Sequence, residues 1–255
     1  MTDLNGLHAL VTGGASGIGW AIADRLSDSG ALVVVLDVAA ERPDTLREAW
    51  GYVSADISDT DAVDAAVASA LEWLSGTLDV LVNNAGIGAQ GTVQTAQDDE
   101  WHRVLDVNVV GTARVSRAAW PHLVRSRTAA VVNTASVVAT VGLPERAIYS
   151  ASKGAVLALT RAMAADGLAD GIRVNCVSPG TADTPWVGRL LDSAPDSAAE
   201  RAALAARQPH GRLVDAGEVA DAVLYLVSPA AGSTTASDVV VDGGLTGVRV
   251  RAGSA

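Results

Sequence analysis

Cysteine and phenylalanine are almost missing from this chain: its 255 residues include one cysteine, Cys176, and no phenylalanine. One cysteine cannot form an intramolecular disulfide, and its place in the apolar run 173–177 predicts a small buried side chain rather than a reactive thiol. Basic residues are also scarce, with 18 lysines and arginines against 29 aspartates and glutamates and a formal net charge of −11. Such an acidic chain repels phosphate, so we expect no nonspecific binding to nucleic acid.

Targeting and metal-binding signals are missing as well. No uninterrupted apolar stretch approaches the ~20 residues of a membrane span, and residues 1–6 lack the basic and apolar regions of a signal peptide. The four histidines are scattered without the spacing of metal ligands, and no Ser-His-Asp pattern indicates a hydrolase. We therefore expect a cytoplasmic protein with no membrane segment and no metal site.

Short β-branched runs alternate with longer alanine-rich segments of helical period, a pattern typical of a parallel sheet with helices on both faces. Hydrophobic residues make up 49% of the chain, enough for one sizeable core. We predict an α/β fold, a Rossmann-type doubly wound parallel sheet of about seven strands, in a single domain over residues 1–255. The predicted strands are Leu7–Val11, Leu32–Leu36, Tyr52–Ala55, Val80–Val82, Ala130–Thr134, Arg173–Val177 and Asp238–Val241. The predicted helices are Gly17–Ser29, Thr60–Leu74, Asp98–Ser126, Tyr149–Ala169 and Ala216–Leu226.

A glycine-rich turn follows the first predicted strand and leads into a helix. Glycines in this place let the backbone turn tightly and approach a pyrophosphate, whose charge the helix N-terminus stabilises. Such a turn alone is about as often structural, but its position between a strand and a helix favours cofactor binding. The candidate cofactor-binding residues of the turn are Gly13, Ser16, Gly17, Ile18 and Gly19.

An acidic residue, Asp37, ends the second predicted strand, where a Rossmann fold places its ribose-binding carboxylate. A carboxylate accepts hydrogen bonds from both adenosine ribose hydroxyls of NAD and repels the 2′-phosphate of NADP. Neither Ser16 nor Val38 offers a cation for that phosphate, and we interpret Arg42 as a surface residue. The charges therefore favour NAD over NADP as the cofactor.

Polar and small residues also follow the third and fourth predicted strands. Asp56, with Ile57 beside it, lies where an adenine amino group could bind, although Asp56 could instead cap the next helix. Asn84, Ala85 and Gly86 belong to an Asn-Asn-Ala-Gly run that could pack against ribose; alone, it is also a plausible turn. We count these five residues among the candidate cofactor ligands.

Taken together, the motifs resemble those of the short-chain dehydrogenase/reductase family. The glycine-rich turn, Asn-Asn-Ala-Gly, a serine after the fifth strand, Tyr-x-x-x-Lys and Pro-Gly occur in the family's order and spacing, from Leu7 to about Gly244. The resemblance is to the common branch that has no separate substrate domain. It implies a nicotinamide-dependent oxidoreductase that interconverts a secondary alcohol and a ketone by hydride transfer, and the charge of Asp37 favours NAD as the cofactor.

The resemblance implies four catalytic residues, Asn108, Ser136, Tyr149 and Lys153. Tyr149 and Lys153 lie four residues apart on an apolar helix and so face the same way. A nearby ammonium and the positive nicotinamide ring are expected to lower the pKa of Tyr149, which then exchanges the proton of the substrate hydroxyl. By the same resemblance, Ser136 binds the substrate oxygen, Lys153 also binds the nicotinamide ribose, and Asn108 interrupts a helix and holds a proton-relaying water.

The turn after the sixth strand completes the implied cofactor site. In the family, the residues at Pro179, Gly180 and Thr184 hold the nicotinamide carboxamide, which fixes the ring face presented for hydride transfer. Ring orientation matters because a small misplacement weakens the near-attack geometry.

Four residues are candidates for binding substrate: Gln90, Arg146, Arg189 and Arg207. Arginine presents a planar fork suited to carboxylate, and residues 201–213 resemble relatives that oxidise small hydroxy acids or sugar acids. Residues 184–211 form a candidate lid over the substrate. The arginines could instead be surface residues, which for Arg189 is equally plausible.

Other possibilities stay open. Trp186 and Val187 in the lid would suit an apolar alcohol, such as a steroid or ring alcohol. A non-catalytic NAD sensor is a further alternative, but such sensors can lose the tyrosine or lysine, and this chain keeps both. The two long predicted helices have more apolar surface than one sheet face needs, and the resemblance implies that they pair across two-fold axes in a homotetramer, with a dimer as the alternative.

Overall fold

The computed structural model of the protein describes residues 3–192 and 194–249, in which seven parallel strands form one sheet. The strands are β1 (His8–Thr12), β2 (Leu32–Asp37), β3 (Gly51–Ser54), β4 (Val80–Asn83), β5 (Ala130–Thr134), β6 (Arg173–Pro179) and β7 (Asp238–Val241). Their spatial order is β3-β2-β1-β4-β5-β6-β7. Strands β1 to β3 extend the sheet in one direction and β4 to β7 extend it in the other, so the strand order switches between the neighbouring strands β1 and β4. This order confirms the predicted Rossmann-type doubly wound sheet.

Helices cover both faces of the sheet. They are α1 (Gly17–Asp28), α2 (Thr60–Trp73), α3 (Asp98–Leu105), α4 (Thr112–Leu123), α5 (Ala147–Gly167), α6 (Pro185–Asp192), α7 (Ser197–Ala206) and α8 (Ala216–Val227). Helices α1 and α8 pack over one face, and α2, α4 and α5 pack over the other. The prediction of helices on both faces is therefore confirmed.

The central strands are apolar on both sides because both faces of the sheet are buried. In β2, Val33 and Val35 belong to the core under α1 and α8, whereas Val34 and Leu36 belong to the opposite core. The alternation follows from the two-residue period of a strand. A fully apolar strand of this kind is what a parallel sheet between two helical layers requires.

The prediction of one continuous helix in this part of the chain was wrong. The segment predicted as Asp98–Ser126 consists of α3, a π-helical turn at Asp106–Gly111, and α4. A π turn adds a residue to the helical repeat, which sequence periodicity does not register when apolar residues continue on either side. The interruption contains Asn108, where the family resemblance implied a broken helix.

The segment proposed as a lid contains two helices, α6 and α7. Val187 and Leu191 of α6 pack against Leu204 of α7 and against Leu213, which gives the segment a small apolar cluster of its own. None of the helices in the described residues combines the length and the apolar character needed to cross a bilayer.

A buried polar network crosses the centre of the fold. The Asn133 amide nitrogen donates to Thr160 Oγ1 at 2.9 Å, and Asn133 Oδ1 accepts from Asn83 Nδ2 at 2.9 Å. Asn83 Nδ2 also donates to Ser116 Oγ at 2.9 Å. These bonds join β4 and β5 to α4 and α5, the elements that carry much of the site described below.

Replacing Asn133 by alanine should destabilise the protein substantially. The substitution removes the buried bond that Asn83 donates to Asn133 and the one that Thr160 accepts from it, so the free energy of unfolding should fall by about 2 kcal/mol. Urea denaturation followed by circular dichroism measures the change. The exposed control Asn5→Ala should alter the unfolding free energy by less than about 0.5 kcal/mol; equal losses in the two variants would contradict a structural role for the network.

Candidate active site

Three adjoining depressions lie along the carboxyl edge of the sheet. The acidic cleft, of about 310 Å³, contains Asp37, Asp56, Ile57 and Ala85. The glycine-loop cleft, of about 430 Å³, contains Ser16, Gly17, Asn84, Gly86 and Lys153. The inner cavity, of about 160 Å³, contains Ser136, Arg146, Pro179, Gly180 and Arg207. Gly13 lines both clefts, whereas Ile18, Tyr149 and Thr184 line both the glycine-loop cleft and the inner cavity, so the three depressions form one continuous groove.

The glycine-rich turn leaves the space and the donors that a phosphate group needs. Gly13 has a left-handed backbone (φ +62°), and a Cβ there would lie 2.8 Å from Ala85 Cα. Gly19 lines neither cleft but permits the close turn, because a Cβ there would lie 2.1 Å from Gly13 O. Ser16 precedes α1 without capping it through its side chain. The first N–H groups of α1 therefore stay available to an anion.

The loop after β4 is tied to the glycine-rich turn by Thr12. Its Oγ1 accepts from the backbone nitrogens of Asn84 and Ala85 at 3.0 and 3.1 Å. The Asn84 side chain in turn donates to the carbonyls of Thr12 and Gly13 at 3.2 and 3.1 Å. The amide of Asn84 thus shapes the wall of the cleft rather than pointing freely into it.

The acidic cleft carries its carboxylates at its rim. Asp37 Oδ2 accepts from Ala15 N at 3.0 Å, which links the end of β2 to the glycine-rich turn. Asp56 Oδ1 accepts from the backbone nitrogen and the hydroxyl of Ser58, whereas the cap of α2 is Asp59. Asp56 therefore does not serve as the cap of α2, the alternative role considered for it. Its binding of an adenine amino group stays a prediction.

Tyr149 and Lys153 of α5 meet Ser136 at the end of β5. The Lys153 ammonium is buried, donates to Thr134 O at 2.7 Å and lies 5.8 Å from the centre of the Tyr149 ring. Ser136 and Tyr149 both line the inner cavity. The structure thus brings together three of the four predicted catalytic residues around the opening between the glycine-loop cleft and the inner cavity.

Burial governs the acidity of both groups on α5. It lowers the pKa of Lys153 from 10.5 to about 8. Burial also raises the pKa of Tyr149, while the hydrogen bond from Ser136 and the positive charge of Arg146 act in the opposite direction. The sequence led us to expect that the lysine ammonium and the nicotinamide ring together lower the pKa of this tyrosine. The surroundings that the chain itself supplies raise this pKa, because desolvation outweighs Ser136 and the charge of Arg146.

Asn108 lies in the π turn and lines none of the three depressions. Its side chain pairs with the backbone of Ile87, accepting from the nitrogen at 2.8 Å and donating to the carbonyl at 2.9 Å. It also donates to Ser152 Oγ at 3.0 Å, one residue before Lys153. These bonds hold the loop after β4 against α5, and the proton-relay role of Asn108 stays a prediction.

The candidate substrate residues separate into three groups. Arg146 and Arg207 lie together on the inner cavity. Arg189 lines the glycine-loop cleft and does not line the inner cavity. Gln90 is exposed and lines neither of these depressions.

Sequence reasoning missed Thr12 and Thr134, which organise the site through a hydroxyl and a backbone carbonyl. Thr12 stands directly after the first apolar run, which was the only available signal for it. A carbonyl acceptor such as that of Thr134 leaves no side-chain signature at all. Within the described residues, no group of three or more histidine, cysteine, aspartate or glutamate side chains is placed to hold a metal ion.

The groove fits a nicotinamide dinucleotide. The glycine-rich turn and the uncapped start of α1 suit a pyrophosphate, and the acidic cleft suits an adenosine. Pro179, Gly180 and Thr184 line the opposite end, between the two clefts and the inner cavity, where a carboxamide could be held. Apart from Gly19, the predicted cofactor residues line these three adjoining depressions, and their binding of a dinucleotide stays a prediction.

Comparison with known proteins identifies relatives along almost the whole chain. A family model described as enoyl-(acyl carrier protein) reductase matches residues 13–246. A 2-(S)-hydroxypropyl-CoM dehydrogenase from Xanthobacter autotrophicus is 39% identical over 248 residues, which cover 93% of this chain and 96% of the relative. A cis-4-hydroxycyclohexanecarboxylate dehydrogenase from Sinomonas cyclohexanicum is 41% identical over 247 residues, which cover 94% and 96%.

Among solved structures, the ligand-free aldohexose dehydrogenase of Thermoplasma acidophilum superposes with a TM-score of 0.90 at 32% sequence identity, covering 98% of this chain and 99% of that one. The chain belongs to the short-chain dehydrogenase/reductase family. It is an oxidoreductase that acts on CH–OH groups, and its family uses a nicotinamide cofactor.

Lys153 is the only lysine of the chain, so its ionisation can be followed without interference. In protein labelled with ¹³C-lysine and free of cofactor, the single Cε signal should titrate with a pKa of about 8 because burial disfavours the ammonium. The same signal in denaturant should titrate near 10.5. A folded-state pKa as high as the denatured one would contradict the desolvation of this side chain.

Proposed function

We propose that the protein is an NAD(H)-dependent dehydrogenase that interconverts a secondary alcohol and a ketone on a small hydroxy acid or sugar acid. The observation that carries the proposal is a pair of arginines, Arg146 and Arg207, on the same cavity as Ser136 and Tyr149. Among the described residues, neither arginine forms an ion pair with a carboxylate.

The arginine pair is electrostatically suited to an anion. Burial lowers the pKa of Arg146, and the like charge of Arg207 lowers it further. Glu145 and Glu200 act in the opposite direction without closing an ion pair with Arg146. Two guanidinium groups that repel each other gain most from a bound carboxylate, because it offsets the repulsion and accepts charge-assisted hydrogen bonds.

Both arginines are held by their backbones. Arg146 follows Glu145, a non-glycine residue in the left-handed region (φ +56°), and pairs with Gly91 through a parallel bridge. Arg207 precedes the buried Gln208, whose amide donates to Arg212 O at 2.6 Å and Thr181 O at 3.4 Å. A strained turn and a buried anchor therefore present the two side chains toward the cavity.

The relatives support a small substrate with an acidic group. One of them is named for a hydroxylated cyclohexanecarboxylate, which combines an alcohol, a short carbon framework and a carboxylate. The apolar side chains of the inner cavity, among them Val138, Leu143 and Val187, suit such a framework. At about 160 Å³ the cavity is smaller than the roughly 300–1,000 Å³ of sites for drug-sized ligands, which disfavours the steroid alternative.

In the proposed reaction, this chain's residues bind the alcohol oxygen and move its proton. Ser136 donates a hydrogen bond to the oxygen, and Tyr149 takes the hydroxyl proton during oxidation or returns it during reduction. Lys153 supplies positive charge near the tyrosine and a donor for the ribose. When bound, the nicotinamide supplies the hydride acceptor or donor. The arginine pair fixes the substrate so that its carbinol carbon faces the glycine-loop cleft.

Charges around the acidic cleft support NAD rather than NADP. Asp37 stands at the rim, and the Arg42 guanidinium is engaged with the carbonyls of Trp50, Leu46 and Arg47. The cation that lines the cleft, Arg103, comes from α3 rather than from the loop after β2. A 2′-phosphate beside Asp37 would meet a carboxylate without a free arginine from that loop.

Replacing Asp37 by serine should reduce the preference for NADH over NADPH. The wild-type protein should bind NADH at least about tenfold more tightly than NADPH, and Asp37→Ser should narrow that ratio by weakening NADH binding and relieving repulsion of the phosphate. Titration of cofactor fluorescence measures both dissociation constants. Glu41→Gln removes an exposed charge outside the cleft and should leave the ratio unchanged; a wild-type protein that binds the two cofactors equally would contradict the NAD assignment.

Arg146→Ala and Arg207→Ala should each raise KM for a small hydroxy acid by about tenfold, because a charge-assisted hydrogen bond is lost. The dissociation constant for NADH should stay unchanged. In Arg146→Ala alone, the half-point of the pH profile for oxidation should move upward, because a charge that lowers the pKa of Tyr149 is gone.

Steady-state kinetics with NAD⁺ from pH 6 to 11 gives both quantities. Arg212→Ala is the matched control, since Arg212 pairs with Glu218 and lies outside the cavity. If both cavity variants kept the wild-type KM for every acid tested, the carboxylate site would be ruled out.

We also propose that the protein assembles as a homotetramer, with a dimer as the alternative. The groove between α4 and α5 presents Trp120, Leu159 and Met163 beside Ala113 and Pro121. Apolar side chains on two adjacent helices suit packing against the same helices of a second copy. Light scattering coupled to size exclusion distinguishes these states.

A further inference from the structure

Helix α6 crosses the glycine-loop cleft and contacts both of its walls. On one side, a Cβ added to Gly17 would lie 3.5 Å from the side chain of Thr184, immediately before α6. On the other side, a Cβ added to Gly88 would lie 2.8 Å from the indole of Trp186. The first turn of α6 is therefore seated between the phosphate-facing turn and the loop after β4.

Arg189 lies one helical turn beyond Trp186, on the face of α6 that lines the cleft. Its side chain is exposed and makes no hydrogen bond or ion pair with another described residue. The other arginines of this region differ: Arg201 pairs with Asp183, and Arg212 pairs with Glu218. An unpaired guanidinium thus lines the same cleft as the wall formed by Gly13, Ser16 and Gly17.

That wall is the part of the groove prepared for an anion. It contains the uncapped start of α1 and has no acidic residue in the first turn of the helix. A pyrophosphate bridging the acidic cleft and the nicotinamide end carries two negative charges across this stretch. Guanidinium groups bind phosphate oxygens in a bidentate manner and match this requirement.

We propose that Arg189 is a cofactor clamp that binds the pyrophosphate of the dinucleotide from α6, rather than a residue that binds substrate. The proposal rests on the proposed nicotinamide dinucleotide cofactor. Val187 and Leu190 of the same helix line the inner cavity, so the cofactor and one wall of the substrate cavity share α6.

The test compares ligands that differ in their phosphates. Dissociation constants for NADH are measured by its fluorescence, and those for ADP-ribose and adenosine by displacement of NADH. Arg189→Ala should raise the dissociation constants of NADH and of ADP-ribose by about tenfold each and leave that of adenosine unchanged. Arg189→Lys should recover much of the loss because it keeps the charge. Arg201→Ala, a matched arginine deletion on α7, should bind all three like the wild type, and thermal melting checks that every variant is folded.

Unchanged NADH and ADP-ribose binding in Arg189→Ala would overturn the clamp. So would a variant whose only defect is a higher KM for the acid, because that result returns Arg189 to the substrate. Equal weakening of adenosine would also overturn it, since the effect would then not depend on phosphate. A wild-type protein that binds neither NADH nor NADPH would overturn the proposed function and the clamp together. If the wild type binds NADH and Arg189→Ala binds it equally well, only the clamp is overturned and the proposed function stands.

Discussion

The burial of Lys153 is the constraint on which the rest of the site depends. Its ammonium donates to the Thr134 carbonyl at the end of β5 and lies close to the Tyr149 ring. A charged group leaves water without a large penalty only where fixed partners replace its hydration. This contact therefore fixes where α5 meets the sheet edge, and it places Tyr149, one turn earlier, against Ser136. The pairing of Asn108 with Ile87 secures the neighbouring loop against the same helix.

Burial has an electrostatic consequence that links the catalytic and proposed substrate sites. It drives Lys153 toward its neutral form and Tyr149 toward its protonated form, so neither group is prepared for proton transfer by its own surroundings. Ser136 and Arg146 oppose this effect at the tyrosine. Arg146 thus has two consequences in the proposed mechanism: it binds the substrate anion, and it lowers the pKa of the group that exchanges the substrate's proton. A bound anion locates the alcohol and at the same time reduces the positive field at Tyr149.

Much of the fold was predictable because strand periodicity and the order of the motifs are local properties of the sequence. All seven predicted strands occur within two residues of their predicted bounds, and the polar and glycine residues after them line one edge. The π turn at Asp106–Gly111 was not predictable from periodicity, because apolar residues continue on either side of it and Asn108 bonds to Ile87, which is distant in the sequence. The direction of Arg189 depends on how α6 sits on Gly17 and Gly88, which no pattern within 184–211 reveals. Likewise, the balance of burial and charge at Tyr149 emerges only once the helix is packed.

The central claim is that Tyr149 transfers the proton of an alcohol whose hydride passes to NAD⁺. The most direct measurement is kcat/KM for oxidation of a small hydroxy acid by NAD⁺ across pH, in the wild-type protein and in Tyr149→Phe. The wild type should show an ionisation that raises the rate with pH. Tyr149→Phe should bind NADH normally, lose about 10²–10⁴-fold in rate and lose that ionisation. A folded Tyr149→Phe protein that retains comparable activity and the same pH profile would contradict the account.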